Sequence, residues 1–285
     1  MTDGAAALDY PVPADPGNEG GGSAPVRGIL FDLDGTMYRG TEAIPGAGEA
    51  VAELRAAGIR CVFASNNPTA TSLEYSRRLS SMGIPAAEDD VLTSGGVAAG
   101  WLRNTQPRAL VFVVGEESLI RELRSAGVQV TDSEQADVVL AAFDRTFSYA
   151  KLNTAFQALR RGALFAATNP DTTCPVAGGG LIPDCGGITA ALEATSGRKV
   201  DVLMGKPSPI MANAALERLG VGAEEALIVG DRLETDIQMG QAAGIRTVLV
   251  LSGVSGSGAG PSAASAVLPS VRELPGLLGS WQPAS

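Results

Sequence analysis

The chain has 285 residues, a formal net charge of −10 and no histidine. The missing histidine excludes Ser-His-Asp triads, Cys-His nucleophile pairs and histidine-containing zinc sites, so proton transfer must come from carboxylates, lysine, tyrosine or cysteine. The acidic balance and the aromatic content of 5% argue against nucleic-acid binding. No apolar run approaches the roughly 18 residues of a membrane span.

Three cysteines, Cys61, Cys174 and Cys185, form neither a C-x-x-C pair nor an even disulfide framework. Unpaired thiols in a chain of this length predict a reducing, cytoplasmic location. The length and the apolar content of 45% allow one large domain or two smaller ones. Residues 1–24, rich in Gly, Ala, Pro and Asp and without periodicity, predict a flexible tail.

Strand and helix patterns alternate along nearly the whole chain after residue 24. The predicted strands are 26–31, 59–64, 109–114, 137–143, 163–167, 226–229 and 245–251. The predicted helices are 46–57, 71–82, 116–126, 149–161, 188–196, 207–219 and 234–243. Residues 170–187 and 252–266 are rich in glycine and predict loops. This alternation predicts parallel α/β sheets with crossover connections, which bind their ligands at the strand ends.

Acidic residues follow two of the predicted strands. Asp32 and Asp34 lie in FDLDGT, and Asp231 and Asp236 lie in VGDRLETD. Clustered carboxylates repel one another, so the arrangement is costly unless a cation compensates. Oxygen ligands without histidine or cysteine favour a hard ion, and Mg²⁺ is the natural choice.

Polar residues at two further element ends complete a candidate phosphate site. Ser65 and Asn66 lie in ASNNP, and Lys206 precedes a proline that we expect at the first position of a helix. A lysine beside the positive end of a helix is well placed to bind an anion. Together these residues offer a carboxylate nucleophile, a metal, a hydroxyl donor and a point charge. GKPSP is not a nucleotide P-loop, because the required glycine and Ser/Thr are missing.

The motifs DLDGT, ASNNP, GKPSP and GDRLETD occur in the order and spacing of the haloacid dehalogenase-like (HAD) superfamily, which residues 26–251 resemble. Residues 85–205, with ATNPD at 167–171, resemble the large α/β cap of the p-nitrophenylphosphatase and phosphoglycolate phosphatase group. The resemblance implies a Rossmann-like, parallel-sheet core of residues 25–105 and 200–285. It also implies an inserted α/β cap of residues 106–199, through which members of this group often form homodimers.

The resemblance implies the roles of the acidic residues. Asp32 would attack phosphorus and form an aspartyl phosphate, while Asp34 would protonate the leaving oxygen and then activate water. The Asp32 carboxylate, the Asp34 backbone carbonyl and the Asp231 carboxylate would hold Mg²⁺. Asp236 would orient the metal's surroundings, with a local capping or pairing role as the alternative.

The remaining motif residues would bind the transferred group. Ser65 and the amide of Asn66 would contact phosphate oxygens, and Lys206 would shield the charge between nucleophile and phosphate. The acid at position 34 favours phosphatase chemistry, because superfamily members that dehalogenate lack it and transporting ATPases carry threonine there. The implied activity is Mg²⁺-dependent hydrolysis of a small phosphorylated metabolite: a sugar phosphate, glycerol phosphate, phosphoglycolate or nucleotide.

Residues of the predicted cap are candidates for recognising the leaving group. Asp144 and Arg145 follow a predicted strand, and Asp171 closes ATNPD, so each could reach over the site. A solvated loop or a domain interface is an equally good interpretation of all three. Three other functions share the motifs: a phosphotransferase or phosphomutase, a sugar-phosphate binding module without catalysis, and a phosphatase dedicated to one biosynthetic intermediate.

Overall fold

The computed structural model describes residues 24–176, 180–253 and 264–281. Within these ranges no helix is long and apolar enough to cross a membrane. The strands are β1 Gly28–Asp32, β2 Tyr38–Arg39, β3 Glu42–Ala43, β4 Arg60–Ser65, β5 Val91–Thr93, β6 Leu110–Val114, β7 Gln129–Val130, β8 Val138–Ala141, β9 Leu164–Ala167, β10 Thr173–Val176, β11 Gly180–Pro183, β12 Val202–Leu203, β13 Ala226–Gly230, β14 Arg246–Val250 and β15 Ala266–Leu268. The α-helices are α1 Ala47–Ala56, α2 Ser72–Ser81, α3 Ser94–Thr105, α4 Glu117–Ser125, α5 Tyr149–Arg160, α6 Cys185–Ser196, α7 Pro209–Leu219, α8 Gln238–Ala243 and α9 Leu274–Trp281.

The first sheet is formed by strands from the N-terminal and C-terminal parts of the described chain. Its six strands are parallel and run in the order β15-β14-β13-β1-β4-β5. Alternate side chains of β1 point to opposite faces of the sheet. On one face, Ile29 and Phe31 pack in a hydrophobic cluster with Val51 of α1. On the other face, Leu30 packs in a second hydrophobic cluster with Met211 of α7. Burial on both faces explains why this strand is a continuous apolar run.

A second parallel sheet is formed by the middle of the chain, in the order β12-β9-β8-β6-β7. The two parallel sheets with helical crossovers confirm the α/β fold class that the alternation predicted. The strand β12 pairs with β9 in this sheet, although the predicted core starts again at residue 200. The division into core and cap at residues 106–199 stays a prediction.

Several elements differ from the sequence-based expectation. The predicted loop 170–187 contains the antiparallel hairpin β10-β11. Most residues of both strands are exposed, among them Leu181 at 66%, so the sequence has no alternation of apolar and polar residues that would mark a strand. The helix α6 begins three residues early, at Cys185, because the Asp184 carboxylate accepts a hydrogen bond from the first helical N–H. The predicted tail 1–24 lies outside the described residues apart from Ala24, as does 254–263 of the predicted loop 252–266.

The helix after Lys206 also starts at a different residue from the one predicted. Ser208 is its N-cap, accepting a hydrogen bond from the Ile210 N–H, so Pro209 and not Pro207 is the first helical residue. The predicted helix 234–243 opens with a π-helical turn, Leu233–Ile237, and becomes α-helical only in α8. Short elements without a clear period, among them β5, β12 and β15, were not predicted.

Candidate active site

The candidate site lies at the carboxyl ends of three neighbouring strands of the first sheet. Asp32 ends β1, Ser65 ends β4, and Asp231 directly follows β13. Because β4, β1 and β13 are adjacent and parallel, their carboxyl ends meet at one edge. The structure therefore brings together the motifs that the sequence spreads over about 200 residues.

A buried lysine lies between two of the acids. Lys206 Nζ forms ion pairs with Asp32 Oδ1 and, at 2.8 Å, with Asp236 Oδ1. Burial acts to lower the pKa of Lys206, but the carboxylates of Asp236 and Asp32 outweigh it and raise that pKa. Burial raises the pKa of Asp32 and that of Asp236 to about 6, against the opposing effect of the ammonium group. The lysine therefore remains charged while it neutralises part of the acid cluster.

Three carboxylates form a group that could hold a metal ion. Asp32, Asp231 and Asp236 each offer one oxygen, and these oxygens lie within 4.8 Å of one another. The buried Oδ2 of Asp32 accepts no hydrogen bond from the part of the chain that the structure describes. A buried carboxylate oxygen without a donor is costly unless a cation faces it. An all-oxygen donor set of this kind fits a hard divalent cation.

Glycines allow the two acids of GDRLETD to pack closely. A Cβ on Gly35 would lie 2.5 Å from Asp231 Oδ2, and Gly35 itself has a φ of +90°. A Cβ on Gly253 would also collide with Asp231, and one on Gly230 would collide with Asp236. The glycines of DLDGT and GDRLETD are thus needed for space at the acid cluster. Gly253 lies in the predicted loop 252–266 and was not predicted to be a site residue.

Asp34 lies in the loop after β1 and lines the same cleft as Lys206. Its Oδ2 accepts a hydrogen bond of 3.3 Å from the Tyr38 hydroxyl. Burial raises the pKa of Asp34, while Tyr38 and the nearby Arg78 guanidinium act to lower it. A raised pKa suits a carboxyl that must carry a proton at one stage and lose it at another. Tyr38 was missed by the sequence analysis, although it stands only four residues after Asp34.

Ser65 and Asn66 are both at the site, but their side chains have protein partners. The Ser65 hydroxyl donates to the Tyr75 hydroxyl at 3.2 Å and accepts the Asn67 N–H. The Asn66 carboxamide oxygen accepts the Lys206 N–H at 2.8 Å, and its nitrogen donates to the Lys206 carbonyl at 2.9 Å. The same nitrogen donates to Asp171 Oδ2 at 3.0 Å.

A small cleft of about 60 Å³ opens over these residues. Its lining from the first-sheet side includes the predicted Asp32, Asp34, Ser65, Asn66 and Lys206, together with Asn67, Arg232 and Thr235. The opposite wall is formed by residues on and around the hairpin β10-β11: Asp171, Thr173, Cys174, Pro175 and Asp184. The hairpin therefore covers a site built mainly by the first sheet.

The three residues predicted for leaving-group recognition are separated by the structure. Asp171 lines the cleft, and its Oδ1 lies 3.6 Å from the Arg232 guanidinium. Asp144 is buried and forms an ion pair of 2.6 Å with Lys151, and neither lines the cleft. Arg145 pairs with Glu116 at 2.6 Å and is also absent from the cleft wall.

Other wall residues were not predicted individually. Arg232 stands within GDRLETD, directly after a predicted metal ligand, and that position could have suggested it. Asp184 is 4% exposed, and burial raises its pKa to about 6. Burial also raises the pKa of the Cys174 thiol to about 11, so it stays protonated at neutral pH.

Comparison with known proteins gives the class to which this arrangement of buried lysine and strand-end carboxylates belongs. The family model described as "Haloacid dehalogenase-like hydrolase" matches residues 29–129. A second, HAD-hydrolase-like model matches residues 203–274.

Characterised relatives align over most of the chain. The sugar-phosphatase AraL of Bacillus subtilis is 40% identical over 81% of this chain and 85% of its own length. The ribonucleotide monophosphatase NagD of Escherichia coli is 37% identical over 81% of this chain and 89% of its own. A solved structure of p-nitrophenyl phosphatase from Archaeoglobus fulgidus has a TM-score of 0.83 and 33% identity, covering 88% of this chain and 98% of that one.

The chain therefore belongs to the haloacid dehalogenase-like hydrolases. It has the α/β fold of that family, and it is a hydrolase of phosphomonoesters. These findings confirm the family, fold class and enzyme class that the four motifs implied.

Proposed function

We propose that this enzyme hydrolyses a small phosphomonoester in a Mg²⁺-dependent reaction through a phosphorylated Asp32. One observation carries the proposal. Asp32 pairs one carboxylate oxygen with Lys206, and its other oxygen is buried and accepts no hydrogen bond from the residues that the structure describes. Asp32 also offers an oxygen to the acid cluster that it forms with Asp231 and Asp236. Asp34, a second carboxyl with a raised pKa, stands two residues away in the same cleft.

The acid cluster fits the predicted metal. Asp32, Asp231 and the main-chain carbonyl of Asp34 would hold Mg²⁺, and Asp236, which lies beside these carboxylates and pairs with Lys206, would orient the metal's surroundings. When bound, the ion supplies positive charge that offsets repulsion between the carboxylates and an incoming phosphate. The net acidity of the chain is no obstacle, because local charge at the site decides phosphate binding.

The protein's own groups would carry both chemical steps. The Asp32 carboxylate attacks phosphorus, the bond to the leaving oxygen breaks, and Asp34 donates its proton to that oxygen. Asp34 then accepts a proton from the water that attacks phosphorus, and the Asp32 carboxylate is released. Lys206, the Ser65 hydroxyl and the Asn66 main-chain amide are the proposed contacts to phosphate oxygens.

The substrate class follows from the relatives, whose names include a sugar-phosphatase and a ribonucleotide monophosphatase. We expect a sugar phosphate, glycerol phosphate, phosphoglycolate or nucleotide, with the predicted cap 106–199 selecting the leaving group through Asp171 and its neighbours. All three cysteines carry free thiols, which supports a cytoplasmic location. Homodimer formation through the predicted cap stays a prediction that light scattering would test.

The decisive experiment is a phosphate-release screen over these four substrate classes, with and without Mg²⁺. We expect turnover only with the metal, and no turnover or covalent phosphate in Asp32→Asn. Asp132→Asn, an exposed position away from the cleft, is the matched control and should keep full activity. Normal turnover in Asp32→Asn would refute the mechanism. Phosphate release that needs an added alcohol acceptor would instead favour a phosphotransferase.

A further inference from the structure

The carboxamide of Asn66 forms two antiparallel hydrogen bonds with the main chain of one residue, Lys206. Its oxygen accepts the Lys206 N–H at 2.8 Å, and its nitrogen donates to the Lys206 carbonyl at 2.9 Å. The two residues are 140 positions apart in the sequence. We propose that Asn66 is a positioning residue, whose side chain holds Lys206 in place for the reaction rather than binding phosphate itself.

Asp171 determines which way the carboxamide faces. The second N–H of Asn66 donates to Asp171 Oδ2 at 3.0 Å, so both amide hydrogens and the amide oxygen have partners. Rotating the amide by half a turn would point its oxygen at the Lys206 carbonyl and the Asp171 carboxylate, two acceptors. The observed orientation is therefore the one that pairs donors with acceptors throughout.

The main chain on both sides of this contact is held firmly. The Asn66 carbonyl accepts hydrogen bonds from the Ser94 hydroxyl at 2.6 Å and from Asn169 at 2.9 Å. Gly205 donates its N–H to the Thr168 carbonyl at 2.8 Å. A Cβ at Gly205 would lie 2.5 Å from the Asn66 carboxamide oxygen, so a glycine is required for the contact to form.

The contact matters because of what the Lys206 side chain does. A lysine has a long and flexible stem, so the location of its main chain limits where the ammonium group can lie. Here that group reaches Asp32 Oδ1, Asp236 Oδ1 and, at 3.4 Å, the Ala64 carbonyl. Displacing a catalytic group by about 1 Å can cost about 100-fold in rate. This inference rests on the proposed function for the role of Lys206 in turnover.

The first test observes Lys206 directly and does not depend on activity. The chain contains three lysines, Lys151, Lys199 and Lys206, so protein labelled with isotopic lysine gives three sets of side-chain NMR signals. Lys206→Arg identifies the set that belongs to Lys206. We expect Asn66→Ala to shift or broaden the Lys206 signals and to leave the other two sets unchanged.

Two further variants make this test robust. Asn66→Asp keeps the oxygen that accepts the Lys206 N–H but loses both donors, so it should also move the Lys206 signals, even if the alanine variant folds poorly. Asn67→Ala is the matched control, because the Asn67 side chain contacts Thr69 and Cys174. It should leave the Lys206 signals in place. Lys206 signals that stay at their wild-type positions in both Asn66 variants would overturn the proposal.

A double-mutant cycle separates positioning from direct phosphate binding. With p-nitrophenyl phosphate and Mg²⁺, we expect Asn66→Ala to lower kcat by about 10- to 100-fold while KM changes by less than about threefold. In a Lys206→Met background the same substitution should cost less than about threefold. An equal loss in both backgrounds would mean that the Asn66 side chain acts on the substrate independently of Lys206, which overturns the proposal. Absence of turnover in the wild type would count against the proposed function alone, and the NMR test would still decide the positioning contact.

Discussion

Glu122 provides a quantitative test of how burial controls charge in this fold. It lies on α4 and faces the first turn of α3, where its Oε1 accepts a hydrogen bond of 3.4 Å from the Thr93 hydroxyl. Burial raises the pKa of Glu122 from its ordinary value of 4.5 to about 7, against the weaker effect of this hydrogen bond. We expect Glu122→Gln, which keeps the shape without the charge, to stabilise the protein at high pH.

The magnitude follows from linkage between ionisation and folding. One pKa unit corresponds to about 1.4 kcal/mol, so a pKa raised from 4.5 to about 7 means that ionised Glu122 costs the folded state about 3 kcal/mol. The N-terminus of α3 offsets about 0.3 to 1 kcal/mol, since it favours a negative charge. The net gain in Glu122→Gln at pH 8.5 is then about 2 to 3 kcal/mol.

The sign can be checked over a pH series. The protonated carboxyl stabilises the fold fully below pH 4.5, and this contribution is lost as the pH rises through about 7. The free energy of unfolding, measured by urea titration, should therefore differ little between wild type and Glu122→Gln at pH 4. The difference should grow from there to pH 8.5. Glu117→Gln, an exposed position on the same helix, should show no such trend. A difference independent of pH, or a variant less stable than wild type at pH 8.5, would refute this reasoning.

Two further substitutions test packing at the metal cluster and helix capping. Gly35→Ala should weaken activation by Mg²⁺ at least about tenfold, because its Cβ would displace Asp231 and its φ of +90° is strained for alanine. Titration of activity against Mg²⁺ checks this, and Gly40→Ala, with φ of +58° and open space around it, should keep the wild-type metal dependence. Thr71→Ala should lower the free energy of unfolding by about 1 kcal/mol, since Thr71 caps α2 through the N–H of the third helical residue. A change below about 0.3 kcal/mol in chemical denaturation would contradict the capping argument.

The elements that could be predicted are those whose burial leaves a clear apolar pattern in the sequence. The central strands β1, β4 and β13 are buried on both faces, so each is a continuous apolar run bounded by polar or glycine residues. The strand β5 has only three residues, and α3 begins Ser94-Gly95-Gly96, which carries little helical signal. The hairpin β10-β11 is largely exposed, so no apolar pattern marks it in the sequence.

The same contrast holds within the candidate site. Asp32 and Asp231 could be predicted from the local sequence, because an acid directly after a buried strand must lie at the carboxyl edge of the sheet. The sequence analysis predicted the acid cluster and its lysine from that rule and from the motifs DLDGT, GKPSP and GDRLETD. Arg232 stands next to Asp231 in GDRLETD, so its position in that motif could have suggested it, whereas no short-range pattern indicates that Asp184 reaches the cleft.

The sequence by itself determined the family and the α/β fold class, and it predicted the acids and the lysine that the structure brings together at the candidate site, because those signals are local in the chain. Only the tertiary structure decided which partner each polar side chain takes. It directs the Asn66 carboxamide to the Lys206 main chain and to Asp171, 140 and 105 positions away. It pairs Asp144 with Lys151 outside the cleft. Hydrogen bonds and ion pairs between segments remote in sequence form only when donor and acceptor are positioned to within a few tenths of an ångström, and packing of the whole fold sets those positions.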